Sequence, residues 1–160
     1  MSEAPVLGIV IPCYNESEVL PLTIEALQER LSEWISTGQL SGQSFVFFVD
    51  DGSQDDTWHQ IEQIHRRDAR FRGIKLAHNV GHQHALNAGM MEAYDTADCL
   101  VSVDADLQDD LGIIGTFLQR FQGGADIVYG VRTDRTSDSW FKRTSAQWFY
   151  RVEKMLGVET

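Results

Sequence analysis

Cysteine is scarce. The 160-residue chain has two, Cys13 and Cys99. Their spacing fits neither a metal-ligand pattern nor a disulfide framework, which excludes a zinc module and a cystine-stapled secreted fold. Both lie in apolar, strand-like stretches, where a buried free thiol is the ordinary state, and a reducing cytoplasm is expected. Long apolar runs are also missing. No stretch approaches the roughly 20 apolar residues of a membrane span. The first residues, Met1-Ser2-Glu3-Ala4-Pro5, have no basic segment and no apolar run, so they do not read as a signal peptide. Positive charge is in short supply: 13 Lys and Arg stand against 24 Asp and Glu, a formal net charge of -11. Such a surface repels a polyphosphate backbone and argues against nucleic acid as a partner. Internal repeats, low-complexity segments and linkers are absent, so residues 1–160 are expected to form one domain.

What is present is material for a core. Hydrophobic residues make up 42% of the chain, which folds rather than staying disordered. Short apolar runs at 6–11, 45–49, 73–77, 99–103 and 126–129 read as strands. Helical periodicity occupies 17–35, 54–70, 82–94, 111–121 and 137–156. Five alternations of strand and helix predict an α/β fold, a mostly parallel sheet with helices on both faces.

The unusual polar clusters fall just after the predicted strands. They are Pro12-Cys13-Tyr14-Asn15-Glu16, Asp50-Asp51-Gly52-Ser53, His78-Asn79-Val80-Gly81-His82, Asp104-Ala105-Asp106-Leu107-Gln108 and Gly130-Val131-Arg132. In an open parallel sheet these positions line the one edge where ligands bind. Loops are polar in any protein, which accounts for one or two such clusters but poorly for five rich in Asp and Gly.

Asp104 and Asp106 stand two apart at a strand end, so both carboxylates can turn toward one cation, with Ala105 between them. Hard oxygen ligands suit Mg²⁺ or Mn²⁺ bridging to a diphosphate, and Gln108 can add a neutral oxygen. Asp109 or Asp110 serves instead as a helix cap. Asp50 and Asp51 offer acceptors to a base or ribose, while Ser53 or Asp55 is read as capping the next helix rather than acting as a nucleophile. Arg132 can pair with a diphosphate or form a surface salt bridge. His78, His82 and His84 are poor metal ligands, since His82 and His84 face apart on a helix and no third ligand joins them. The last helix mixes Phe141, Trp148, Val152 and Leu156 with Lys142, Arg143, Arg151 and Lys154. That face suits a membrane surface, the domain's own sheet or a second copy of the chain.

Ile9-Val10-Ile11-Pro12-Cys13-Tyr14-Asn15-Glu16, Val49-Asp50-Asp51-Gly52-Ser53, Asn79-Val80-Gly81-His82-Gln83, Val103-Asp104-Ala105-Asp106-Leu107-Gln108 and Gly130-Val131-Arg132 occur in that order. Together they resemble the family 2 glycosyltransferases, in the branch of dolichyl-phosphate mannose synthases and bacterial polyprenyl-phosphate glycosyltransferases. The resemblance runs from Val6 to about Gly157. It implies a GT-A fold, an inverting mechanism, a nucleotide-diphosphate sugar donor and a polyprenyl phosphate or other glycan or lipid acceptor. It implies that Pro12, Tyr14, Glu16, Val49 and Asp51 contact the nucleotide. Asp104, Asp106 and Gln108 would engage metal and diphosphate, and Arg132 the donor. Family members usually continue past this length, often into membrane helices. The resemblance therefore implies a donor half that transfers sugar weakly alone, placed in the cytoplasm or at the cytoplasmic face of a membrane.

Overall fold

The computed structural model describes residues 4–106 and 111–130. The chain divides into two compact units, Met1–Asp126 and Ile127–Thr160. Four strands build the sheet of the first: β1 Leu7–Cys13, β2 Phe45–Asp50, β3 Phe71–Lys75 and β4 Cys99–Ser102. Four helices accompany them: α1 Leu20–Ser36, α2 Thr57–Arg67, α3 His82–Ala93 and α4 Ile113–Gln122. A short 3-10 turn at Tyr94–Thr96 extends α3.

The strand order is β3-β2-β1-β4, and every pairing is parallel. The chain steps outward from β1 through β2 to β3, then crosses back to the far side of β1. Right-handed crossovers place helices made in opposite directions on opposite faces. The packing agrees. Ile9, Ile11, Val46 and Phe48 meet Leu27 and Leu31 of α1, Ile61 of α2 and Ile114 of α4. Val10, Phe47 and Val49 meet Ala85 and Ala93 of α3 on the other face. β1 and β2 are buried at every position, as strands covered on both sides should be.

Close approach of α3 to the sheet depends on one glycine. A Cβ at Gly89 would stand 2.5 Å from Val10 Cγ1 and 2.6 Å from Val49 Cγ2. On the other face Phe48 and Phe71 stack with ring centroids 6.2 Å apart, and each fully buried ring is worth roughly 1.5–3 kcal/mol of transfer free energy. No helix among the described residues is long and apolar enough to cross a membrane.

Three differences from the sequence reading have physical causes. β1 does not stop at Ile11 but runs through Pro12 to Cys13, with Pro12 opposite Val49. Val10 O accepts Val103 N–H, so the Val10 backbone faces β4, and Pro12 faces the same way, beyond the last pair Val10↔Ser102. Its missing N–H therefore costs no ladder bond. β3 begins two residues earlier than the periodicity suggests, because Phe71 is fully buried against Phe48. The fifth strand expected at 126–129 does not form. Just before it the chain turns back onto α4, through Gly123 N–H to Gln119 O and Ala125 N–H to Arg120 O. Ile127, Val128 and Tyr129 have strand propensity, but propensity makes no strand without a ladder partner, and none of the described strands pairs with them. The helix expected at 137–156 lies outside the described residues.

Candidate functional site

The order β3-β2-β1-β4 reverses at β1, so the topological switch point, where open parallel sheets bind ligands, lies between the C-terminal ends of β1 and β4. Asp51 and Asp104 follow strands of the same direction and stand at the same edge of the sheet. The loops there are tied together by hydrogen bonds.

After β1, Asn15 takes a left-handed conformation with φ 56°. Its N–H donates to Ser53 Oγ at 2.9 Å, and its Oδ1 accepts Gln54 N–H at 2.9 Å. Glu16 N–H donates to Thr57 Oγ1 at 2.9 Å, and Ser17 N–H to Asp55 Oδ2 at 3.1 Å. Asp51 N–H closes the set on Cys13 O at 2.8 Å. These bonds fix the first loop on the second and leave the Tyr14 ring 44% exposed at the edge. Burial opposes ionisation of Asp55, but hydrogen bonds from Thr57 and Ser17 outweigh it and hold the carboxyl at about 2. Ser53, one candidate cap of α2, instead accepts from Asn15; Asp55, the other, accepts Thr57 N–H at 3.0 Å, while the cap position itself falls on Asp56, which makes no side-chain capping bond.

The two aspartates that end β2 turn inward. Asp50 is fully buried; its Oδ1 accepts Ser53 N–H at 3.2 Å and its Oδ2 lies 3.7 Å from Lys75 Nζ. It was expected to offer its carboxylate to a base or ribose, and the structure instead commits it to the turn beneath the edge. Asp51, 2% exposed, accepts Val80 N–H on Oδ1 at 2.7 Å and Gly81 N–H on Oδ2 at 2.9 Å. It thus anchors the loop that starts α3. Gly52 between the loops has φ 73°, and a Cβ there would sit 2.7 Å from Asn79 N. Pro12 and Val49 are buried in the sheet beside them.

Beyond β4 the chain enters a turn at Ala105 and Asp106. Val103 and Ala105 are buried at 6% and 4%, while Asp104 and Asp106 are exposed. Both carboxylates lie close enough to Glu16 for their charges to act on it. Ala105 contributes backbone: its O accepts Thr23 Oγ1–H at 2.6 Å, tying this loop to α1. Burial pushes the Glu16 carboxyl up, and the charges of Asp106, Asp55 and Asp104 push it further. Glu16 on the β1 side therefore shares one electrostatic field with Asp104 and Asp106 on the β4 side. His82 Nε2 lies 4.0 Å from Asp104 Oδ1. Burial likewise raises the Cys13 thiol, with Glu16 and Asp50 adding to it, so Cys13 stays protonated and inert.

The structure thus brings Tyr14, Glu16, Asp51, Asp104 and Asp106 to one edge. Gln108 and Arg132 lie outside the described residues. Asn15, Thr23 and Thr57 were missed as loop ties, because a hydrogen bond between distant loops leaves no periodic signal in the sequence.

The family model described as glycosyl transferase family 2 matches residues 8–158. The chain belongs to this family. It is 46% identical over 155 residues to the uncharacterized glycosyltransferase YkoT of Bacillus subtilis (strain 168), covering 97% of this chain and 46% of that protein. It is 31% identical over 150 residues to the prophage bactoprenol glucosyl transferase homolog of Escherichia coli (strain K12), covering 94% of this chain and 46% of that protein. The chain spans about half the length of the curated relatives it matches. Among solved structures, the mannosyltransferase PcManGT from Pyrobaculum calidifontis, in complex with GDP-Man and Mn²⁺, superposes with a TM-score of 0.57 at 21% identity. That superposition covers 70% of this chain and 31% of that one. The fold of this family 2 member is the GT-A fold: a parallel sheet, helices on both faces and the polar loops at one edge.

Proposed function

We propose that the chain carries the donor site of an inverting, metal-dependent glycosyltransferase. It would move a hexose from a nucleotide-diphosphate sugar to a polyprenyl phosphate. The observation that carries this reading is the pair Asp104 and Asp106, exposed just after β4 and near enough to Glu16 for their charges to act on it. The family and the bactoprenol glucosyl transferase relative support it.

The residues fit Mg²⁺ or Mn²⁺ in one particular way. Among the described residues no three His, Cys, Asp or Glu side chains gather into a closed cage. Two hard carboxylates with an open side are what such ions use when phosphate oxygens complete the shell. Burial raises the Glu16 carboxyl, and the charges of Asp106, Asp55 and Asp104 raise it further, so a cation held beside the pair would be favoured. Asp104 and Asp106 would hold the ion, with Gln108 and Arg132 as further proposed contacts. When bound, the ion offsets charge developing on the departing nucleoside diphosphate. Tyr14 offers an exposed ring on which a base can stack, and Asp51 fixes the loop beside it. A phosphate acceptor is already anionic and needs little help from a general base. A lipid acceptor would bring this site to the cytoplasmic face of a membrane.

A chain that spans about half of its relatives gives a second reading: donor binding without efficient transfer. Incubation with a nucleotide-sugar, polyprenyl phosphate and Mn²⁺ separates the two. Sugar found on the lipid with inverted anomeric configuration supports the transferase. Donor binding with no lipid-linked product supports the second reading.

A further inference from the structure

We infer that His82 is a diphosphate-contacting residue of the donor site. The inference rests on the donor-site reading above and deepens it. His82 opens α3 directly after the loop that Asp51 holds by Val80 and Gly81. Three features place it in the working part of this edge.

The first is position. His82 Nε2 stands 4.0 Å from Asp104 Oδ1, and both side chains are more than half exposed, at 54% and 62%. The gap is too long for a hydrogen bond but close enough that one ligand oxygen can reach both neighbourhoods. The second is charge. Asp104 and Glu16 lie close enough for the charge of one to raise the carboxyl of the other, and a diphosphate arriving there meets like charge that a hydrogen-bond donor helps to offset. Among the described residues no Lys or Arg nitrogen lies within 4.0 Å of an Asp104 oxygen. An imidazole N–H there supplies a donor where one is needed.

The third is how the helix start is arranged. Gly81 O accepts the amides of His84 and Ala85, and Asp51 accepts those of Val80 and Gly81. No side chain caps the helix. Asp51 thus fixes the direction in which α3 begins, and with it the place of the imidazole. His84 is spent differently: its Nδ1 lies 3.1 Å from Val80 O, one turn back along its own helix. His82 makes no such contact and projects toward Asp104 instead.

Calorimetry with UDP and GDP, and with uridine and guanosine, each with Mn²⁺, tests the inference on the wild-type chain, His82→Ala and His82→Gln. A phosphate contact predicts that His82→Ala weakens the bound diphosphate about tenfold, the order of one hydrogen bond to a charged group. Nucleoside affinity stays unchanged, and His82→Gln, which keeps an N–H donor at similar reach, recovers most of the loss. Unchanged diphosphate binding in His82→Ala, or equal losses for nucleoside and diphosphate, overturns the inference and leaves the donor site standing. A wild-type chain that binds neither diphosphate overturns the donor-site reading and this inference with it.

Discussion

The Asp51 carboxylate accepts the Val80 amide at 2.7 Å, binding the end of β2 to the start of α3 across the ligand edge. Its other oxygen takes Gly81 N–H at 2.9 Å, so both oxygens are committed to backbone. A buried acceptor pair of this kind cannot be halved cheaply. In Asp51→Asn the amide nitrogen would face an N–H donor, and one part-buried amide would lose its partner. The expected loss of stability is about 1–3 kcal/mol. Urea unfolding measures it; a change within about 0.5 kcal/mol, the range of an ordinary surface substitution, would show that the clamp is not structural.

Gly89→Ala sets two effects against each other. Alanine gains about 1 kcal/mol over glycine in a helix interior. Its Cβ, however, would press at 2.5 and 2.6 Å on Val10 and Val49, both fully buried. Valine is stiff about χ1, so these methyls cannot swing aside, and overpacking costs about 1–3 kcal/mol. Net destabilisation is expected, read as a lower melting temperature. A rise would mean that α3 can lift from the sheet freely.

Much of this fold is legible in the sequence, for identifiable reasons. β1 and β2 are continuous apolar runs because both of their faces are covered, and α3 follows the helical periodicity of 82–94. The extension of β1 through Pro12 is not legible. It depends on β4 ending its pairing at Val10, a fact about another part of the chain. The same holds for residues 126–129, whose composition suits a strand but which pair with none of the described residues. Placing the clusters after strand ends does bring Tyr14, Glu16, Asp104 and Asp106 to one edge of the sheet. Composition does not distinguish Asp50, buried beneath the edge, from Asp104, exposed on it. Adjacent aspartates look alike until the turn that follows them is known.

Asp55 gives a pH dependence with a definite sign. Its carboxyl is held at about 2 in the folded chain, below the ordinary value of about 3.9. A depressed carboxyl stabilises the fold above its unfolded value, and that contribution is lost as pH falls through the folded one. Wild-type stability should therefore decline more steeply than that of Asp55→Asn between about pH 4 and pH 2. Parallel stability curves for the two proteins over that interval would show that Asp55 takes no part.

Asp104 and Asp106 carry the central claim, and nucleoside-diphosphate binding with and without Mn²⁺ tests it most directly. The wild-type chain should bind UDP or GDP with Mn²⁺ and lose at least about tenfold in affinity when EDTA removes the ion, as expected if the ion joins protein to diphosphate. Asp106→Ala should lose as much in the presence of Mn²⁺ while its stability stays within about 0.5 kcal/mol of wild type, since exposed strand-end carboxylates carry little of the core. Diphosphate binding indifferent to Mn²⁺, or an Asp106→Ala protein that melts far lower yet binds unchanged, would contradict a metal-bridged donor site.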